Sequence, residues 1–449
     1  MKLFRREKYI SRIRPFLHDT DIIKVITGIR RCGKSSLLQT VAEELIENGV
    51  NKDNIFFYNL DKYGYKNIKT SEALEELLFG GEYPEGIKYV FIDEIQNVEG
   101  FEPVLEALRL EEDYSIFITG SNSYLLSGEL ATKLTGRYLE FEIQTLGFDE
   151  YEAMKAFYGK MIDTDILREF DSYLIGGGFP KALFYDELYD KQLYVKTVLD
   201  DIFNKDIKGR VKIKNVEAFN IVRNYVINNF GSTVSISNIC DDLKKTGIAI
   251  TRPTITRYIQ ALCDAKIISE CTRFDMKSRR SMKNEKKYYL ADLSIYFSTN
   301  TDNRINYGPV LENVVYQYAR SMGYKVSVGR IGNLECDFVL RSIQNEYAYV
   351  QVALTIMDSK NTEDREYRPL ENIADGYPKY LVTRRDLIQK RNGIKHVDII
   401  DFILGQKMFD LFNIVKFLST QQARTETYIK PIRVFELEDG VGIYRKRRR

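Results

Sequence analysis

The chain has 449 residues, 44% of them hydrophobic and 29% charged, a length beyond what one hydrophobic core usually supports and a composition typical of a soluble protein of three or more domains. Its formal net charge of +2 gives no global signal for nucleic acid, so any such signal must be local. Five scattered cysteines (Cys32, Cys240, Cys263, Cys271 and Cys336), odd in number and without a Cys-x-x-Cys pair, exclude a disulfide framework and a zinc site and suit a reducing compartment. In chain order, the charged start Met1-Lys-Leu-Phe-Arg-Arg-Glu-Lys8 leads into no apolar region of signal-peptide length, and no later run approaches a membrane span, which points to the cytoplasm.

The apolar run Ile22 to Ile26 is followed by Gly28-Ile-Arg-Arg-Cys-Gly-Lys-Ser-Ser36 and then by a helical pattern to Ile46. A Gly-rich turn between a strand and a helix points backbone N–H groups and the positive helix end at phosphates. Gly28, Ile29, Arg30, Arg31, Cys32, Gly33, Lys34, Ser35 and Ser36 are therefore the candidate nucleotide-binding loop. Lys34 is placed to reach the β- and γ-phosphates of ATP, and Ser35 to ligate Mg²⁺. Lys88-Tyr-Val-Phe-Ile-Asp-Glu-Ile95 reads as a buried strand ending in two acids. Asp93 is the candidate metal ligand. Glu94, directed differently because strand residues alternate, is the candidate base that orients and deprotonates the attacking water. Asn59 or Asp61, closing an earlier strand, could restrain Glu94 or cap the next turn. Tyr114 to Asn122 is another strand opening into a polar turn, where Ser121 or Asn122 could meet the γ-phosphate or the water.

Gly28 to Ser36, Ile92-Asp-Glu-Ile-Gln96, Thr119-Gly-Ser-Asn122 and Leu134-Thr-Gly-Arg137 together resemble, in order and spacing, the AAA-type ATPases of bacteria and archaea that carry a C-terminal domain of unknown function. The resemblance covers most of the chain. It implies that Thr119 to Asn122 is a polar sensor and that Arg137 is a candidate arginine finger, acting in cis or on a neighbouring subunit of a homo-oligomer. Arg30 and Arg31 are ambiguous between catalytic and structural use.

The expected architecture is α/β, with boundaries read from changes of pattern. Residues 1–147 form a P-loop ATPase domain in which runs near 22–27, 54–59, 88–92, 115–119 and 138–142 alternate with helices, hence a parallel sheet covered on both faces. Residues 148–230 read as helical and look like an AAA-type lid, broken by Gly176-Gly-Gly-Phe-Pro180, a sharp and adjustable bend. Residues 231–297 suggest a winged helix-turn-helix, with Arg252, Thr254, Thr256 and Arg257 on the second helix. Its wing carries seven basic and two acidic residues between Arg273 and Lys287. Lys277, Arg279, Arg280 and Lys283 are candidate contacts to the phosphates of duplex DNA, while the same module could equally dock a protein partner.

Residues 305–404 resemble restriction-endonuclease domains: Glu312 on a helix, Asp337 on the second strand and Gln351-Val-Ala353 on the third stand where an acid, a metal-binding Asp and an acid-x-Lys pair belong. A two-carboxylate site gathers Mg²⁺ and a lysine positions the water. Gln351 is neutral and Ala353 removes the cation, so the resemblance implies a vestigial site unless a lysine such as Lys325 enters from a neighbouring strand. Residues 405–449 read as a tail with a hairpin near Glu438-Asp-Gly440 and a basic end. Function narrows to an Mg-dependent ATPase coupling nucleotide state to a DNA or protein partner, with a slow switch acting on a protein alone and an ATP-gated DNA nuclease as the alternatives.

Overall fold

The computed structural model describes residues 2–81, 84–121, 136–209, 211–245, 247–299 and 306–405, with residues 282–285 described in their backbone alone. The five N-terminal apolar runs become strands β1 (Ile23–Thr27), β2 (Ile55–Asn59), β3 (Lys88–Asp93), β4 (Tyr114–Gly120) and β5 (Tyr138–Glu142), all parallel in the order β2-β3-β4-β1-β5. Central β1 and β4 are buried along their whole length, which is why they read as continuous apolar runs rather than alternating ones. Register sets Asn59 beside Asp93, and Thr27 beside both Gly120 and Glu142. All five carboxyl ends thus share one edge.

After helix α1 (Glu7–Ile13), helix α2 (Lys34–Glu47) buries Leu37, Leu38, Val41 and Leu45, one stripe at helical spacing, and contacts β3 and β4. Helices α3 (Ser71–Phe79) and α4 (Glu102–Leu110) contribute Leu74, Leu78, Val104, Leu105 and Leu108 to a core with Ile23, Val25, Val90, Ile92, Ile116 and Ile118. Strand alternation sends Lys24, Phe91 and Phe117 to the opposite face, where the two phenyl rings stack at 4.7 Å.

Helices α5 (Phe148–Phe157), α6 (Ile166–Gly176) and α7 (Leu188–Asp201) follow, then a π-helical continuation Ile202–Ile207 and α8 (Val216–Asn228). The Gly176 to Pro180 break is a tightly packed joint rather than an open bend. Gly177 has φ 74°, and a Cβ there would lie 2.0 Å from Asp292 Oδ1; one on Gly178 would lie 2.2 Å from the Leu146 carbonyl oxygen. Gly178 N–H donates to Asp292 Oδ2 at 2.8 Å, and Leu146 N–H donates to the Gly178 carbonyl at 2.8 Å. Burial raises the Asp292 carboxyl above its usual range, against the hydrogen bonds from Ser294 and Gly178 that favour its charge.

Two short helices, α9 (Ile236–Lys245) and α10 (Arg252–Asp264), precede a hairpin of β6 (Ile268–Asp275) and β7 (Arg280–Leu290), then α11 (Ser294–Thr299) and α12 (Tyr307–Ser321). The last part contains β8 (Lys325–Ile331), β9 (Leu334–Arg341), β10 (Tyr347–Val352), α13 (Lys360–Glu371), β11 (Lys379–Thr383), β12 (Lys390–Arg391), β13 (Ile394–Asp398) and α14 (Ile399–Leu404). One eight-stranded sheet, in the order β12-β13-β11-β10-β9-β8-β6-β7, runs across the 297/305 boundary read from the sequence. β6 pairs in parallel with β8, Arg273 opposite Val328 and Asp275 opposite Arg330, so the expected wing is the margin of the C-terminal sheet. The expected hairpin in 405–449 lies outside the described residues. Among the described residues no helix is long and apolar enough to cross a membrane.

Candidate functional site

The phosphate loop is built by backbone conformations that most residues avoid. Gly28 has φ 151°, Arg31 φ 69° and Gly33 φ 106°. A Cβ on Gly28 would stand 2.4 Å from the Ile143 carbonyl oxygen and 2.8 Å from Cys32 Sγ, so only glycine fits. Gly33 is the left-handed N-cap of α2, and no side chain caps the helix. The first N–H groups of a helix lack intrahelical partners, so this terminus offers donors to an anion. Lys34 Nζ donates to the Gly28 and Ile29 carbonyls at 3.0 and 3.2 Å. The cradle and its donor set fit a nucleotide's phosphates.

Asp93 is buried at the end of β3. Its Oδ1 accepts from Thr119 Oγ1 at 2.6 Å and its Oδ2 from Asn59 Nδ2 at 2.7 Å. Thr119 Oγ1 also accepts the Glu94 N–H at 2.9 Å, so one hydroxyl fixes both acids. Glu94 is left-handed (φ 61°, ψ 48°), an uncommon state for a non-glycine residue, which turns its side chain out of the strand's alternation. Its Oε2 accepts from Gln96 Nε2, which reaches Ser121 Oγ at 3.4 Å. Asn59 therefore restrains Asp93 rather than Glu94, and Asp61 accepts from Asn97 Nδ2. Among the described residues no group of three or more His, Cys, Asp or Glu side chains could hold a metal. Mg²⁺ at Ser35 and Asp93 would draw its remaining ligands from phosphate and water oxygens, as this cation often does.

Two buried ion pairs that the local motifs did not reveal lock the loop. Arg30 donates through Nε and Nη2 to Asp206 at 2.9 and 3.1 Å, and Ser121 Oγ donates to the same carboxylate at 2.9 Å. Burial opposes the Arg30 charge, but Asp206 more than offsets it and holds the guanidinium above its usual range. Arg6 forks onto Glu150 at 2.8 and 2.6 Å and donates to the Cys32 and Gln144 carbonyls at 3.1 and 2.8 Å. Arg31 is exposed, 3.9 Å from Asp201. Burial pushes the Cys32 thiol up.

Asn122 lies outside the described residues. Arg137 does not join the site. It immediately precedes β5, its carbonyl accepts from Ile23 N–H at 3.0 Å, and its guanidinium pairs with Glu106. That is the amino edge of the sheet, a five-residue strand, about 16 Å, from the edge carrying the phosphate loop. A finger acting in cis is out of reach from there, which corrects that half of the expectation.

On α10, Arg252, Thr256 and Arg257 are exposed and Thr254 is half-buried, opposite buried Ile255, Tyr258, Ile259 and Leu262. Lys277, Arg279 and Arg280 are exposed near the hairpin turn, while the Lys283 side chain lies outside the described residues. The local basic excess is smaller in effect than in count. Arg273 pairs with Glu335 at 2.8 Å, Lys286 with Glu270 at 2.8 Å, and Lys287 with Glu335 at 2.8 Å.

In the C-terminal sheet, Gln351 Oε1 accepts from Asp337 N–H at 3.3 Å, and its Nε2 donates to Glu366 at 3.0 Å. Asp337 Oδ2 accepts from Val352 N–H at 2.8 Å. Glu312 accepts from Tyr289 OH at 2.9 Å and stands 3.5 Å from Lys287 Nζ. The lysine that enters is Lys287, from β7 across the expected boundary, whereas Lys325 is exposed. Burial, then the nearby Glu312, raise the Asp337 carboxyl well above its usual range.

Comparison with known proteins matches residues 20–152 to an AAA domain and residues 167–303 to a domain of unknown function (DUF8612). The second match covers the expected lid from residue 167 onward together with the whole helix-turn-helix segment. An uncharacterized protein of Haemophilus influenzae is 32% identical over 407 residues, covering 90% of this chain and 99% of that one. One from Methanocaldococcus jannaschii is 30% identical over 410 residues, covering 89% and 90%. Among solved structures, the Aeropyrum pernix ORC1 protein in complex with DNA aligns over 67% of this chain and 94% of that one, at 12% identity and a TM-score of 0.33, which carries no argument about partners. On the near-full-length relatives and the matched domain, the chain belongs to the family of the uncharacterized H. influenzae protein and carries an AAA domain at 20–152.

Proposed function

We propose that the protein is an Mg-dependent ATPase that couples nucleotide state to a DNA or protein partner through the helices and sheet that follow its AAA domain. The observation that carries this reading is the convergence, at one sheet edge, of the uncapped start of α2, Lys34, and the Thr119-linked pair Asp93 and Glu94. In this reading Lys34 neutralises phosphate charge, and Glu94 orients the attacking water and takes its proton as the bond to the γ-phosphorus forms and the bond to the leaving oxygen breaks. Mg²⁺ supplies charge neutralisation across the phosphates. In this reading Arg137 acts on a neighbouring subunit of a homo-oligomer.

The Glu312, Asp337 and Gln351 cluster has a structural use in this proposal. Tyr289 and Lys287 hold one oxygen of Glu312, the Asp337 N–H and Glu366 hold the Gln351 amide, and the Val352 N–H holds one oxygen of Asp337. A two-carboxylate metal site pairs its acids with a neighbouring lysine, and here the acid-x-Lys positions are the neutral Gln351 and Ala353.

The test is ATP hydrolysis by purified protein with and without duplex DNA, beside Glu94→Gln. Stimulation by DNA that the variant loses supports a DNA-associated ATPase, with Lys277, Arg279 and Arg280 as the next residues to substitute. Turnover indifferent to DNA moves the reading to a switch acting on a protein partner. Equal turnover by Glu94→Gln would refute the role of Glu94.

A further inference from the structure

Asp206 occupies a position that the catalytic reading does not use. It lies in the π-helical continuation of α7, a geometry frequent at functional sites, and is 5% exposed. Its two oxygens are taken by one donor of the phosphate loop, Arg30, and one donor from the end of β4, Ser121. Ser121 in turn accepts from the Gln96 amide that holds Glu94. An unbroken polar chain therefore runs from the lid carboxylate to the general base. The lid also rests on the loop elsewhere, since a Cβ on Gly33 would stand 3.7 Å from Pro180 Cγ.

A carboxylate gripped by an arginine fork and a hydroxyl is the same kind of ligand as a terminal phosphate: a planar or tetrahedral oxyanion accepting charge-assisted hydrogen bonds. Both donors stand at the sheet edge where the phosphate loop and Asp93 meet. We propose that Asp206 is a specificity-determining residue that competes, as an internal oxyanion, with the terminal phosphate of a nucleoside triphosphate for Arg30 and Ser121. The lid is held to the loop without nucleotide and with a diphosphate, and a triphosphate releases it. This rests on the nucleotide-binding reading above and adds to it how the site tells three phosphates from two. It also assigns Arg30 its second state, on the phosphate.

The experiment uses the full chain in a Glu94→Gln background, so that ATP persists, and measures ATP and ADP dissociation constants by calorimetry with and without Asp206→Asn. Removing the competing charge should tighten ATP about tenfold, the worth of one charge-assisted hydrogen bond, and move ADP less than about twofold. Hydrogen exchange over residues 198–207 provides an independent reading. In the parent, ATP but not ADP should speed exchange there, and Asp206→Asn should be fast without nucleotide. Equal shifts for ATP and ADP, or weaker ATP binding, would overturn the competition and leave Asp206 as a structural partner of Arg30. If Asp206→Asn does not fold, the parent's exchange decides alone: the same protection with ATP as with ADP ends the proposal. A parent that binds neither nucleotide removes this proposal together with the nucleotide reading, a result distinct from binding without discrimination.

Discussion

Lys24 offers a measurable consequence of packing a charge inside the parallel sheet. It sits in the centre of β1 with no exposed surface, its Nζ donating to the Asp19 carbonyl at 2.5 Å and to Ser115 Oγ at 2.9 Å, with the Phe117 ring centre 4.6 Å away. Burial outweighs the attraction of Asp19 and brings the ammonium down from 10.5 to about 7. At about 1.4 kcal/mol for each tenfold weakening of proton affinity, keeping the charge in the fold costs up to roughly 5 kcal/mol below neutrality. Lys24→Met removes that cost and two hydrogen bonds worth about 1 kcal/mol each, for a net gain of about 3 kcal/mol at pH 6. The sign follows from linkage. Between pH 7 and 10.5 the unfolded chain binds a proton at this lysine that the fold does not, so wild-type stability rises with pH across that window. The methionine variant lacks this slope, so its advantage should vanish at about pH 9, where the falling charge cost equals the two lost hydrogen bonds, and reverse above it. Hydrogen exchange of the β1 and β4 amides at a series of pH values reports the local free energy without assuming that the whole chain unfolds in one step. A stability difference that stays constant from pH 6 to 10, or a destabilised variant at pH 6, would refute the reasoning.

Gly177→Ala should lower stability by about 3 kcal/mol or more, because the new methyl meets Asp292 Oδ1 at 2.0 Å and φ 74° disfavours any side chain; the midpoint of thermal unfolding checks it. Arg6→Ala should cost about 3–5 kcal/mol by leaving Glu150 buried without its partner, and should also loosen the Cys32 carbonyl, seen as faster exchange in residues 28–34. Burial works against the Glu142 charge, but Lys266 and Arg320 outweigh it and bring the carboxyl down to about 2. The stabilisation, about 3 kcal/mol, is present above pH 4.5 and lost as pH falls through 2. Glu142→Gln should therefore flatten acid unfolding in that window.

The five parallel strands and the phosphate loop were legible in the sequence because their signals are local: apolar runs of strand length, glycines where backbone must turn, and two acids at a strand end. The partners of those residues were not. Arg30 finds Asp206 176 positions away and Arg6 finds Glu150 144 away, each a single charge among many in a chain with 66 basic and 64 acidic residues. The distance of Arg137 from the phosphate loop of its own chain was hidden for a related reason. A motif fixes sequence distance, whereas reach depends on which end of a strand a residue occupies, and Arg137 stands before β5 rather than after it. The hairpin of β6 and β7 is visible in the sequence, but its neighbour is not, since β6 pairs with β8 only through backbone groups that every sequence supplies. Lys287 escapes notice on the same ground: once β7 is read as a margin of the C-terminal sheet, its lysine beside Glu312 is a consequence of register.

The sideways pairing of β6 with β8 also bears on how this chain could be cut, swapped or inherited. A fragment ended between residues 297 and 305 would expose the outer edge of β6 along Arg273 to Asp275, and the complementary piece, beginning with α12, would leave β8 equally bare along Val328 to Arg330. Raw strand edges invite pairing with foreign chains. Neither half is then a module that evolution or an engineer can transplant cleanly, and displacing the helices before the hairpin would strain the sheet's ladder instead of swinging the C-terminal half on a slack tether.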